Sequence, residues 1–212
     1  MKKILSIILC FVLCVSIVGC SSNSSSNSVQ SNSENVKENK NYSLELTNGT
    51  FKVGEDLDPG EYILVKNEGE FMGNYDITTD TTGDMESSID SNAFENFSYI
   101  EVKKGQYLQL DKCTLYKADE IKDKFNFSNE KELTNGMFRV GDGKDVEPGE
   151  YKLEIASDDD NAQGWYSLYN NLGKGYKGGP DLQDSDFFSG SKLITLKEGQ
   201  YLKLDSETKL IK

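Results

Sequence analysis

Histidine, the commonest general base in proteins, is absent from all 212 residues of this chain. Ser-His and Cys-His nucleophile systems and most zinc sites are therefore excluded. Ser-x-x-Lys spacings occur, for example at 128–131 and 189–192, but the companion motifs of enzymes that use this pair are missing. The sequence predicts that the protein is not an enzyme, with no catalytic residues and no cofactor.

Carboxylates are the most abundant groups with reactive potential, with 36 Asp and Glu against 23 Lys and Arg and a formal net charge of −13. At this abundance some carboxylate pairs are inevitable, so a pair by itself does not indicate a glycosidase. Acid–base work needs one carboxyl in a dry pocket, for which small domains offer little room. The negative charge also repels nucleic acid, which is excluded as a partner.

Acidic residues form dense oxygen clusters at 158–161 (DDDN) and at 90–92 (DSN), and the latter recurs at 184–186 (DSD). Calcium takes six to eight oxygen ligands and accepts loop-borne sites. However, no glycine-punctuated loop with a closing glutamate accompanies either cluster. The sequence favours a solvated acidic loop and no metal site, with calcium as the alternative.

Aromatic residues are concentrated in the glycine- and asparagine-rich segment 161–181, a composition that can stack on sugar rings and bind their hydroxyls. Trp165 and Tyr169 share one strand parity, and we expect both in the core. Tyr166 and Tyr176 are therefore the predicted ligand contacts.

The amino terminus has the pattern of a secretion signal, with Lys2 and Lys3 before an apolar run from Ile4 to Val18. About fifteen apolar residues are fewer than the roughly twenty that a membrane-spanning helix needs. Residues 1–19 are therefore predicted to be a cleaved leader, and its loss takes the net charge to about −15.

The leader ends in Ile-Val-Gly-Cys at 17–20, which resembles the lipobox of bacterial lipoproteins. The resemblance implies cleavage before Cys20 and a diacylglyceryl group on its thiol, with palmitate-like chains holding the protein on the extracytoplasmic face of the cell membrane. Each buried CH₂ contributes about 0.8 kcal/mol, so two chains anchor stably. The alternative is an ordinary cleaved leader with a chance cysteine.

Cys113 is the only free thiol that such processing would leave. Its counterpart in the second repeat is Glu207, a residue that prefers water, so the position does not demand a buried sulfur. We therefore predict that Cys113 is inert.

The remainder of the chain is a tandem repeat behind a polar tether. The sequence LTNGTFKVG at 46–54 recurs as LTNGMFRVG at 133–141, and PGEY and GQYL each occur twice. Aligning Phe71 with Trp165 gives a constant offset of 94 from there onward. The predicted segments are a disordered Ser/Asn-rich tether at 20–42, repeat 1 at 43–118, a charged linker at 119–131 and repeat 2 at 132–212.

Alternating patterns predict that both repeats are all-β. In YKLEI at 151–155 the apolar residues occupy one face, and in YLKL at 201–204 Lys203 is expected on the solvent face. Each PGEY is predicted to form a type II turn before a strand. Six or seven strands per repeat favour two small β-sandwiches or partly closed barrels in tandem.

The repeated VGxDxxPGEY…GQYLxL pattern, over 46–116 and 133–210, resembles an extracytoplasmic domain of Gram-positive lipoproteins. The resemblance implies location and repeat boundaries, and no activity. We expect a membrane-anchored, non-enzymatic binding or adaptor module that faces the cell wall, with wall glycan or peptide as its partner. The alternative is a structural spacer of the envelope that binds no small ligand.

Overall fold

A computed structural model describes residues 46–119, 121, 127, 130–159 and 161–212. The predicted leader, Cys20 and the tether lie outside the described residues. Asn41–Lys212 forms one compact unit. The described elements are β1 (Gly49–Lys52), β2 (Gly60–Lys66), β3 (Gly73–Thr78), β4 (Ser88–Phe94), β5 (Phe97–Val102), β6 (Tyr107–Asp111), β7 (Cys113–Lys117), β8 (Glu132–Arg139), β9 (Gly149–Ile155), β10 (Gly164–Asn171), β11 (Asp181–Phe188), β12 (Ser191–Leu196) and β13 (Tyr201–Ile211), with short 3-10 helices at Met85–Ser87 and Tyr176–Gly178.

Repeat 1 is a sandwich of two antiparallel sheets, with strand orders β1-β6-β3-β4 and β5-β2-β7. Lys112 separates β6 from β7 and has a positive φ of 59°, which lets the chain turn from one sheet into the other. Tyr62 and Leu64 are buried between the sheets, as their strand pattern predicts. The prediction of an all-β fold is confirmed.

Repeat 2 has the same strand connections but one continuous strand, β13, in place of β6 and β7. The first half of β13 pairs with β10 and the second half pairs with β9, while β8 pairs along both halves. The sheet β11-β10-β13-β9-β12 therefore bends around one core, as in a partly closed barrel.

The residues that the two repeats share hold turns together. The carboxylates of Asp56 and Asp145 accept hydrogen bonds from the backbone N–H groups of Lys52 (2.7 Å) and Arg139 (2.8 Å). Two further pairs of equivalent bonds occur. Tyr62 Oη donates to the Asp58 carbonyl as Tyr151 Oη donates to the Glu147 carbonyl, and the N–H groups of Lys103 and Lys197 donate to Gln106 Oε1 and Gln200 Oε1. The repeated motif is thus explained by folding alone.

The predicted type II turns are wrong in detail. Gly60 is the first residue of β2 and has a φ of 152°, whereas the third residue of a type II turn has a φ near +80°. Gly149 likewise begins β9. Each glycine itself pairs within a sheet, Gly60 with Val102 and Gly149 with Leu196.

The strand registers correct the sequence alignment between β3 and β10. Tyr75 lies opposite Leu110, and Tyr166 lies opposite Leu204. Since Leu110 and Leu204 are equivalent, Tyr75 corresponds to Tyr166 and not to Tyr169. The offset is therefore 91 in these strands and 94 from β4 and β11 onward, with two extra residues before β10 and three in the loop after it.

A shared hydrophobic core joins the two repeats. Phe97 of β5 is 1% exposed, and its ring lies edge-on to that of Phe138 in β8, 5.2 Å between centroids. The same ring lies directly over Gly136, where any Cβ would collide with it. Ile63 and Tyr99 belong to the same buried cluster. This shared core argues against independent folding of the two repeats, although their strands do lie on either side of the predicted linker.

Polar contacts also join the repeats around Arg139, which is 7% exposed. Its Nη1 lies 3.3 Å from Glu61 Oε1, and its guanidinium carbon lies 4.8 Å from the ring centroid of Tyr99. Its Nε lies 3.5 Å from Asp145 Oδ2. Tyr201 Oη donates to the other oxygen of Glu61. The guanidinium is thereby paired on several sides, as a buried charge requires.

Candidate ligand site between the repeats

A cleft of about 250 Å³ opens where the β4–β5 corner of repeat 1 meets strands β8, β10 and β13 of repeat 2. Buried Phe94, Phe97 and Leu204 form apolar parts of its lining. Its remaining aromatic, polar and charged side chains are Asn92, Glu95, Asn135, Trp165, Lys203 and Asp205. We call this space the inter-repeat cleft.

Lys203 was expected on the solvent face of β13, and that prediction is wrong: the residue is only 9% exposed. Repeat 1 covers the face of the strand on which Lys203 lies. Its Nζ donates a 2.9 Å hydrogen bond to Asn92 Oδ1 across the boundary between the repeats. Burial lowers the pKa of Lys203, and the nearby carboxylate of Asp90 opposes that effect.

Asp90 lies behind Lys203 and is itself held in place. Burial raises the pKa of Asp90, while a hydrogen bond from Tyr75 Oη (2.7 Å) and the charge of Lys203 act to lower it. The amine therefore has a fixed position and an unlike charge nearby, which are the conditions for a stable donor at the edge of a cleft.

Trp165, the only tryptophan of the chain, was expected in the core but is half-buried at the cleft. Its backbone N–H donates to Thr208 Oγ1 at 2.8 Å, which fixes this part of β10 to β13. Lys203 Nζ lies 5.6 Å from the centroid of the indole ring. Emission from this one residue therefore reports directly on the inter-repeat cleft.

Acceptor groups lie beside these donors. Asn135 Nδ2 donates to Glu95 Oε2 at 3.2 Å, again across the boundary between the repeats. Asp205 Oδ1 is buried, and no residue that the structure describes donates a hydrogen bond to it. With Lys203 as its only cation, the described lining has one more negative than positive charge.

The prediction that Tyr166 contacts a ligand is wrong. Tyr166 is 0% exposed and its hydroxyl donates to Asp184, just as Tyr75 donates to Asp90. The parity argument placed Tyr166 outward because the alignment was three residues out of register in this strand.

The other predicted contact, Tyr176, is 82% exposed but is not among the residues that line the cleft. Its loop packs against repeat 1: Lys177 Nζ donates to the Glu86 carbonyl, and the Gly173 carbonyl accepts from Lys103 Nζ. The three extra residues of this loop therefore contribute to the contact between the repeats.

Cys113 is fully buried, with its Sγ 3.4 Å from the Asn74 carbonyl oxygen. Burial raises the pKa of the Cys113 thiol to about 11, which disfavours the thiolate. Cys113 therefore acts as a small hydrophobic residue at the junction of the two sheets.

The predicted acidic loop is partly described, since Asp160 lies outside the described residues. Asp159 Oδ1 accepts a 2.9 Å hydrogen bond from the Asn161 N–H, a bond within the loop itself. Among the residues that the structure describes, no three His, Cys, Asp or Glu side chains are grouped to hold a metal ion. The described part also contains no helix with the length and apolar character to cross a membrane.

No family model matches the chain. No curated protein matches it either. Among solved structures, vicilin from hazelnut (Corylus avellana) is similar with a TM-score of 0.21 and 8% identity, over 72% of this chain and 68% of that chain. A TM-score of 0.21 is too low to support an argument about fold or function.

Proposed function

We propose that this protein is a membrane-anchored, non-enzymatic binding module that faces the cell wall and holds a small ligand in the inter-repeat cleft. The observation that carries the proposal is the cleft itself, with the sole tryptophan beside a fixed amine and several amide and carboxylate groups. A mainly apolar cleft with a few placed polar groups is the usual form of a small-molecule site.

The proposed location depends on the leader and on Cys20, which would carry the lipid on the extracytoplasmic face of the cell membrane. A polar tether at 20–42 then separates the compact unit from the membrane. The negative charge of the chain favours uncharged or cationic partners of the cell wall over anionic ones.

Titration of residues 41–212 with purified wall fragments tests the proposal, with Trp165 emission as the signal. We expect a saturable change in emission that Asn92→Ala weakens, because Asn92 fixes the cleft amine. The matched variant Tyr176→Ala changes an exposed aromatic residue outside the cleft and should bind as the wild type does. A Tyr176→Ala effect as large as that of Asn92→Ala would move the site to the loop around Tyr176.

The spacer alternative is favoured by one observation, the shared core, which makes the tandem a stiff unit independent of any ligand. It predicts no saturable emission change with glycan, peptide or calcium. It also predicts that cleft variants affect stability alone.

A further inference from the structure

We infer that the inter-repeat cleft takes a single uncharged sugar ring, which stacks on Trp165 and is held at its hydroxyl groups by Asn92, Asn135 and Glu95. This inference rests on the proposed function, since it names the ligand class for the same cleft. It decides between the glycan and the peptide partners in favour of glycan.

The size of the cleft limits the ligand to one ring. Drug-sized ligands occupy sites of roughly 300–1,000 Å³, whereas this cleft holds about 250 Å³. The cleft is also open to solvent at its edge, since Asn92, Glu95 and Asn135 are each half-buried. A longer glycan would therefore insert one residue and leave its neighbours in solvent.

The charges of the cleft select against ions of either sign. Lys203 would attract an anion, but Glu95, Asp205 and the nearby Asp90 would repel it. A cation would be attracted by the carboxylates but repelled by the buried ammonium of Lys203, which lies 5.6 Å from the centroid of the Trp165 ring. Mutually opposed charges in a confined space favour a neutral ligand that can both donate and accept hydrogen bonds.

Sugar hydroxyls meet that requirement because each one can donate and accept. Glu95 has already accepted one bond from Asn135, and its carboxylate has further acceptor sites. Asn92 uses its carbonyl oxygen on Lys203, which leaves the amide N–H₂ group to donate. The apolar face of a sugar ring is complementary to the indole of Trp165 and to the Phe94 and Phe97 side of the cleft.

The test is a nuclear magnetic resonance titration of residues 41–212, followed at the one indole N–H signal. Four single-unit probes are compared: glucose, which is neutral; glucuronate, an acid; glucosamine, an amine; and N-acetylalanine amide, an uncharged peptide. We expect saturable glucose binding with a Kd on the order of 1–10 mM, as the modest free energy per atom of small ligands allows. The acid and the amine should bind roughly tenfold more weakly.

Two variants test the charge argument. Lys203→Met leaves Glu95 and Asp205 unopposed, so glucosamine should become the preferred sugar. Glu95→Gln should shift the preference toward glucuronate. Gln109→Met is the matched control, since Gln109 is the equivalent of Lys203 in repeat 1, is exposed and lies outside the cleft; its probe preferences should equal those of the wild type.

The outcomes separate the two proposals. Equal or tighter binding of a charged sugar to the wild-type protein would refute the neutral-sugar inference and leave the proposed function standing. Preference for N-acetylalanine amide would assign the cleft to peptide. Absence of binding by any probe, together with no response to whole wall fragments, would overturn both the inference and the proposed function.

Discussion

Replacing Phe97 by alanine should destabilise both repeats at once, because its ring lies in the core that they share. The ring lies 5.0 Å from that of Phe127 and 5.2 Å from that of Phe138, and the residue is 1% exposed. Truncation of a buried phenylalanine costs about 3–5 kcal/mol. That loss is a large part of the roughly 5–15 kcal/mol by which domains are stable.

Urea unfolding of residues 41–212 measures the effect with two signals. Trp165 emission reports on repeat 2, and far-ultraviolet circular dichroism reports on both repeats. With an m-value of about 2 kcal/mol/M, Phe97→Ala should lower the midpoint by about 1.5–2.5 M in both signals. The matched control is Ser191→Ala at the equivalent, exposed position of repeat 2, which should change stability by less than about 0.5 kcal/mol.

A third variant separates direct contact from cooperativity. Leu64 is buried in the separate cluster of repeat 1, so Leu64→Ala removes no contact with repeat 2 that the shared core needs. If the compact unit unfolds as one, Leu64→Ala also lowers the Trp165 midpoint. An unchanged Trp165 midpoint with a biphasic circular dichroism curve would show that the repeats unfold separately and would refute the reasoning.

Three further predictions concern single residues. Because burial raises the pKa of the Cys113 thiol to about 11 from 9.0, its thiolate fraction at pH 8 should be about 100-fold lower than in the unfolded chain; labelling by a thiol reagent should slow by at least that factor, and a rate like that of free cysteine would contradict the burial. Asp145→Ala leaves the Arg139 N–H without its acceptor and removes one of the carboxylates that pair the guanidinium, and should cost about 2–4 kcal/mol, measured by urea unfolding, whereas the exposed equivalent Asp56→Ala should cost about 1 kcal/mol or less. Cys20→Ala should release the full chain from the membrane fraction or leave it unprocessed, and normal size with full membrane retention would reject the lipid assignment.

Strand faces were predictable wherever polar and apolar residues alternate. The pairs Leu108/Leu110 and Leu202/Leu204 are buried as expected, because a period of two assigns one face to the core. The alternation cannot show what covers the other face. Lys203 was therefore assigned to solvent, although repeat 1 buries it.

The sequence contains a signal that gives the correct register between β3 and β10. Aligning Phe71 with Trp165 matched two aromatic letters but broke the shared spacing of Gly-x-Tyr at 73–75 and 164–166. In both repeats that glycine lies against a phenylalanine of the next strand, Phe94 or Phe188, with no space for a Cβ. A steric requirement at a glycine thus fixes the register better than similarity between large aromatic residues.

The shared core also had a sequence signal. Strand β2 reads Tyr-Ile-Leu-Val, whereas β9 reads Tyr-Lys-Leu-Glu. An uninterrupted apolar strand is buried on both faces, and an alternating strand has one face in solvent. Ile63 and Val65, which stand where repeat 2 has Lys152 and Glu154, therefore indicated that the outer face of repeat 1 is covered.

The same comparison distinguishes the outer faces of the two repeats and the residues of the proposed ligand site. On the outer face of repeat 2, Ser191 and Leu193 replace Phe97 and Tyr99, so this face is less apolar. The residues of the shared motif are used to hold turns together. We therefore expect function to depend on residues that differ between the repeats. Several cleft residues meet this condition: Asn92, Glu95, Trp165 and Lys203 have Asp186, Ser189, Asn74 and Gln109 as their equivalents. The two repeats thus share the residues that hold their turns, and the groups that distinguish the cleft lie at the contact between the repeats.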